Sequence, residues 1–263
     1  MSEGGPSVEP RNYAVKPLLP GPPDLIAGYR ALHDQEAKYA QIVLREIPGA
    51  VAAWYRLLTL YDQAMRREHE CSGDDQDLPS WHLLLYLANV AGGTSKLVLD
   101  AALAGYYTQG FALVRHMLES WRQMVYVVIR PGEAKRWFRS PDGSNPREPD
   151  EGTIIRALNQ RFADKDLLTQ VNQMITALRK SAHPSGLAFG QTQTGREGFV
   201  QFGANYQRET CVRLIDWGTF ATLILLREVS RAVPVSDAWL AEWQAVAKER
   251  ARWLAAERES RQG

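Results

Sequence analysis

From Asp24 to the C-terminus, segment after segment repeats its apolar residues every three or four positions, a period that builds amphipathic helices. Asp24 to about Glu46 carries Leu25, Ile26, Tyr29, Leu32 and Tyr39 near this spacing, and Pro48-Gly49 ends it. Ala50 to about His69 sets Val51, Trp54, Tyr55, Leu58, Tyr61 and Met65 on one broad face. After a polar stretch, Ser80 offers an N-cap for a helix from Trp81 to about Ala104. Gly105 separates it from a long helix, Tyr106 to Arg130, whose stripe is Phe111, Val114, Leu118, Trp121, Val125 and Val128. Pro131 suits the first position of a short helix through Trp137 and Phe138. Further helices are predicted near Thr153 to Phe162, then from a cap at Asp164 to Ala182 with Leu167, Leu168, Val171, Ile175 and Leu178 inward. Two more follow, from about Asn205 to Arg231 and from Asp237 to about Glu259, the last with Trp239, Trp243, Val246 and Trp253 on one side. The expected fold is an all-α helical bundle.

Three stretches break the pattern. Residues 1–23 hold six prolines and three glycines, which predicts a disordered or extended tail. Residues 140–152 are the clearest loop. Residues 184–203 space five glycines among Phe189, Phe199, Val200 and Phe202, a Gly-rich loop or short hairpin and the only candidate β structure. The expected organisation is a tail over 1–23 and one all-α domain over 24–263. Small residues inside the third helix (Ala88, Ala91, Gly92, Gly93, Ser95) read as a close-packing surface. Gly92 to Lys96 lacks the spacing of a phosphate loop, and no strand precedes it.

Charge excludes little and suggests less. Lysine and arginine number 31 against 30 acidic residues, so the basic excess expected of non-specific nucleic-acid or anionic-membrane binding is missing. Cys71 and Cys211 stand far apart, which gives neither a disulfide framework nor a zinc motif. No charged head with an apolar core opens the chain, and no apolar run reaches the roughly 20 residues of a membrane span. A cytoplasmic location with no membrane partner is the expectation.

Two places carry candidate chemistry. Arg115, Glu119 and Arg122 flank the apolar stripe of the fourth helix, at roughly 100° per residue, so a carboxylate between two guanidiniums is expected near the core boundary. Such a trio either binds an anion or ties helices together by ion pairs. His183 follows a helix end, where the dipole favours imidazolium, and precedes Pro184-Ser185 and the glycine-rich loop. His183, Arg179 and Ser185 form the second candidate group, with a helix-ending histidine bonded to its own last carbonyls as the plain structural alternative. His33, His69, His82 and His116 are weaker, because a bundle metal site repeats ExxH ligands on several helices and no ExxH occurs in the chain. No metal or other cofactor is expected.

The stretch ALVRHMLESWRQMVYVVIRPGEAKRW, Ala112 to Trp137, with Ser181-Ala-His183-Pro-Ser185 later, resembles an uncharacterised bacterial helical family, a domain of unknown function. More remotely it is similar to the HEPN superfamily of helical bundles, over roughly residues 80–230. That resemblance implies a dimer, and for many members a metal-independent ribonuclease of defence or toxin–antitoxin systems, with the signature Arg, four to six residues, His. In such a site His is the general acid–base and Arg holds the phosphate. Here only three residues separate Arg179 from His183, and no other His has an Arg at the required distance. The leading expectation is therefore a HEPN-like homodimeric binding module for a partner or small anionic ligand, using Arg115, Glu119, Arg122, His183 and Ser185. The alternative is an RNA-cleaving enzyme using His183, Arg179 and Glu119.

Overall fold

A computed structural model describes residues 23–66, 78–133, 149–182 and 206–259. The described residues are helical, without a strand: α1 Pro23–Glu46, α2 Pro48–Arg66, α3 Leu78–Ala104, α4 Tyr107–Ile129, α5 Glu151–Arg161, α6 Lys165–Ala182, α7 Arg208–Ala232 and α8 Asp237–Glu259. Residues 1–22 of the expected tail, most of the 140–152 loop and the glycine-rich stretch 184–203 lie outside the described residues, and Pro23 belongs to α1.

Local chemistry sets the breaks. Ile47 alone separates α1 from α2, and Pro48 opens α2 where its missing N–H costs nothing. Gly105 adopts φ 81°, the left-handed conformation that ends α3. Tyr106 N–H then donates back to Ala101 O at 2.8 Å, across the helix end. Asp164 caps α6 as expected, its Oδ1 accepting from Leu167 N–H at 3.0 Å. The third helix begins earlier than the sequence suggested, at Leu78 and not after Ser80. Proline is tolerated in a first turn, so Pro79 does not stop it.

Helices α3, α4 and α7 form the centre. Helix α2 packs on α7 and α3, α8 lies along α2, α1 crosses α3, and α5 and α6 cover α4. Being covered on several sides, α4 buries Tyr107, Met117, Met124, Tyr126 and Val127 beyond its expected stripe, whereas Val128 stays exposed. In α2 the inward face centres on Val51, Trp54, Leu57 and Leu60, and Tyr55 points to solvent. Among the described side chains of α1 Val43 is buried, as is Ile47 at the junction that follows, while Tyr29 and Leu32 are exposed. The tryptophan side of α8 is packed on the bundle. Trp239 Nε1 donates to Leu60 O at 2.8 Å, Trp243 Nε1 donates to Leu223 O at 3.0 Å, and Arg56 of α2 pairs with Glu242 and Glu249.

The small residues of α3 do pack closely. A Cβ on Gly92 would lie 2.0 Å from the Tyr61 ring, so α2 presses its aromatic directly onto the α3 backbone. Its neighbour Gly93 faces open space. Gly93→Ala should therefore stabilise the protein by about 0.5–1 kcal/mol through helix propensity, and Gly92→Ala should destabilise it despite the same propensity gain. Thermal denaturation of the two single variants checks this, and equal shifts would refute the packing account.

A buried polar chain crosses the same region. The Thr222 hydroxyl donates to Gly218 O at 2.8 Å, a carbonyl that can only accept. Ser95 must then donate to Thr222 Oγ1 at 2.7 Å, which leaves its own lone pair to accept from Trp54 Nε1 at 3.0 Å. Helices α2, α3 and α7 are thus joined with these buried polar groups satisfied.

Candidate functional site

The expected carboxylate between two guanidiniums exists, but it is a different carboxylate. Arg115 Nε donates to Glu119 Oε1 at 2.8 Å, a half-buried pair within one helix. Arg122, one turn further along α4, turns away from Glu119. Its Nη2 donates to Glu151 Oε1 at 2.7 Å and its Nη1 donates to Asn172 Oδ1 at 3.3 Å. Arg179 of α6 donates from Nη2 to the same Glu151 oxygen. Three helices therefore converge: α4 supplies Arg122, α6 supplies Asn172 and Arg179, and the first residue of α5 supplies Glu151.

Each position follows from its own helix. Arg122 lies one residue beyond Trp121, whose fully buried ring meets Phe162 edge-on with centroids 5.5 Å apart. That packing draws the α4 surface against the α5–α6 pair and encloses Arg122, whose side chain is only 5% exposed. Glu151 and Arg179 are 45% and 41% exposed, so they lie at the surface over the enclosed Arg122. Asn172 and Arg179 are seven residues apart on α6, two turns along one face.

Helix α5 starts at Glu151 because Asp150 caps it. Asp150 Oδ1 accepts from Thr153 N–H at 2.9 Å and Oδ2 accepts from the Thr153 hydroxyl at 2.6 Å. These bonds hold the Asp150 carboxyl below the usual aspartate range. The sequence placed Asp150 and Glu151 in a loop. The cap residue three positions before Thr153 was the missed signal.

Electrostatics at the site favour negative charge. Burial pushes the Glu151 carboxyl up, but the hydrogen bonds and charges of Arg122 and Arg179 outweigh it and hold the group below the usual glutamate range. A carboxyl depressed in the folded state contributes stability above its unfolded pKa, and that contribution is lost as pH falls through the folded value. Wild type should lose stability on acidification across the glutamate range and below it. Glu151→Gln should be less stable at neutral pH and show a flatter acid limb, which melting temperatures against pH would record. An unchanged limb would mean that Glu151 is not held as described.

Of the other candidates, His183 and Ser185 lie outside the described residues, as does His69. His33 pairs with Glu36 at 3.0 Å, and His116 sits on the exposed side of α4. Among the described residues no three His, Cys, Asp or Glu side chains gather closely enough to hold a metal ion, and no helix is long and apolar enough to cross a membrane. Cys211 is buried, and burial pushes its thiol up to about 12, which removes nucleophilic character.

The site comprises a buried guanidinium, a second one at the surface and a carboxylate between them. It can hold and orient an anionic group. No protein-family model matches the chain, no curated protein matches it, and no solved structure matches it.

Proposed function

We propose that this all-α protein is a HEPN-like binding module, acting as a homodimer, that takes a small anionic ligand or an anionic group of a partner at the junction of α4, α5 and α6. The observation that carries this reading is the convergence of Arg122 and Arg179, from two helices, on a single carboxylate oxygen. Arg122, fixed by packing and by its second hydrogen bond to Asn172, is suited to oxyanions because its donors are already oriented. Arg115 and Glu119, one turn back along α4, are occupied with each other and would contribute to the rim. His183 and Ser185 follow α6 directly in sequence and would extend the site from Arg179.

Thermal shift and calorimetry with a panel of small oxyanions and short oligonucleotides test the proposal. Wild type should be stabilised by at least one of them, and Arg179→Ala should lose that stabilisation while remaining folded. Absence of any response in wild type would sink the reading.

A second reading is a metal-independent ribonuclease with His183 as acid–base and Arg179 close to it in sequence, although the three residues between them fall short of the four to six of the HEPN signature. Mixed RNA incubated with the protein and EDTA separates the two. Cleavage that disappears in His183→Ala would establish the enzyme, and intact RNA would leave the binding module.

A further inference from the structure

Glu151 is poorly explained as a simple structural tie. Both guanidiniums donate to one of its oxygens, Oε1, although its side chain is 45% exposed. Helix α5 does not depend on it for capping, since Asp150 already satisfies the Thr153 N–H. Nor does Arg122 depend on it for orientation, because Asn172 of α6 holds the other arm of the guanidinium. The Glu151 side chain can therefore rotate into solvent without fraying its own helix or releasing Arg122.

Rotation alone is unfavourable, because it leaves the enclosed Arg122 charge without a partner. Exchange is not. An incoming anion that meets Arg122 and Arg179 restores the compensation that Glu151 gives up. The charge count then selects the ligand. Two guanidiniums less one carboxylate leave a single positive charge with Glu151 in place, and two when it has swung out. A monoanion entering for Glu151 only restores the starting balance, whereas a dianion neutralises the pair and presents several equivalent oxygens to two donors.

Resting on the anion-binding reading above, we infer that Glu151 is a built-in competitor at this site, and that the ligand is a dianionic oxyanion of the phosphate-monoester type that displaces it. The consequence is a threshold: dianions bind only after out-competing a tethered carboxylate, and removing that carboxylate strengthens binding.

The test uses the full chain, with inorganic phosphate at pH 8 and acetate as the monoanion, read by calorimetry and by thermal shift. Glu151→Gln should bind phosphate about tenfold more tightly than wild type, the scale of one charge-assisted contact removed from competition. Its melting temperature, lowered by the uncompensated Arg122, should recover with phosphate more than with acetate. Glu151→Asp keeps the counter-charge but shortens its reach, so it covers the case in which the glutamine variant fails to fold. It should fall between wild type and Glu151→Gln. Asp62→Asn removes an exposed carboxylate that pairs with Arg66 on α2 and should leave phosphate affinity unchanged.

Equal phosphate affinity in wild type and the Glu151 variants, still abolished by Arg179→Ala, would overturn the competitor and leave the binding site standing. Acetate bound as tightly as phosphate would overturn the dianion. No phosphate binding by any variant would overturn this inference. A response of wild type to other anions would then keep the broader reading, and none at all would remove that as well.

Discussion

Gly218→Ala is expected to destabilise the protein by roughly 3 kcal/mol, the upper part of the range for forcing a methyl into a packed core. The added Cβ would lie 2.0 Å from Trp54 Cη2, 2.6 Å from Cζ2 and 2.9 Å from Cζ3. Trp54 is fully buried and rigid, so the ring cannot yield into solvent as an exposed side chain would. Moving it also pulls its N–H from Ser95 and disturbs the Ser95–Thr222 chain, adding an unsatisfied buried donor to the steric cost. The helix-propensity gain of about 1 kcal/mol for Ala over Gly offsets only part of this. For a chain of this size the melting temperature should fall by roughly 6–12 °C. Ser95→Ala removes the hydrogen bonds without the clash and should cost about 1–3 kcal/mol. If Gly218→Ala proved neutral, the direct seating of Trp54 on the α7 backbone would be wrong.

Arg122→Ala is the second large effect, expected at about 3 kcal/mol, and Arg122→Met separates its two causes. Alanine removes the ion pair to Glu151 and also leaves a cavity where the buried side chain lay between α4, α5 and α6. Methionine fills most of that volume with apolar surface, and the Glu151 carboxylate left behind is 45% exposed and still paired with Arg179, so no buried charge is stranded. Arg122→Met should therefore stay within about 1 kcal/mol of wild type. Its anion binding should nonetheless be lost, because the enclosed charge has gone. Arg179→Ala, at the surface, should cost about 1 kcal/mol or less. Denaturant melts of the three variants, each followed by anion titration, give both readings from the same samples. A stable Arg122→Met that still binds anions would exclude Arg122 from the site.

The expected boundaries of α4, α6 and α8 lie within two residues of the observed ones, because the apolar period and the caps are local properties of the chain. The inward positions of α6 were equally legible: Leu168, Val171, Ile175 and Leu178 are buried, and Leu167 is partly so. The contrast between its apolar and polar faces decides such a helix alone. Helices with neighbours on several sides were less legible. Tyr55 and Val128 looked inward by period but face solvent, since the rotation of α2 and α4 is set by partners that a single segment does not reveal.

The candidate site divides in the same way. Arg122 could be singled out from the sequence because it flanks the apolar stripe of its helix near the core boundary, and Arg179 because it stands close to the helix-ending His183. Arg115 and Glu119 were legible as a pair, since a four-residue spacing on one helix dictates the contact. Glu151 was not. It reads as a loop acid in a polar stretch, and only the packing of α5 on α4 carries its carboxylate to a guanidinium 29 positions away. Asn172 is equally silent in sequence.

What the sequence determined by itself was the helical class and most helix ends, together with the charged residues worth watching. These depend on periodicity, caps and glycine or proline breaks, each of which acts within a turn or two of chain. Which carboxylate meets Arg122 and Arg179 was decided only by the tertiary structure. Side chains on three helices share one oxygen there because Trp121 packs against Phe162 and seats three helices together, and a contact of that kind depends on shape across the whole fold.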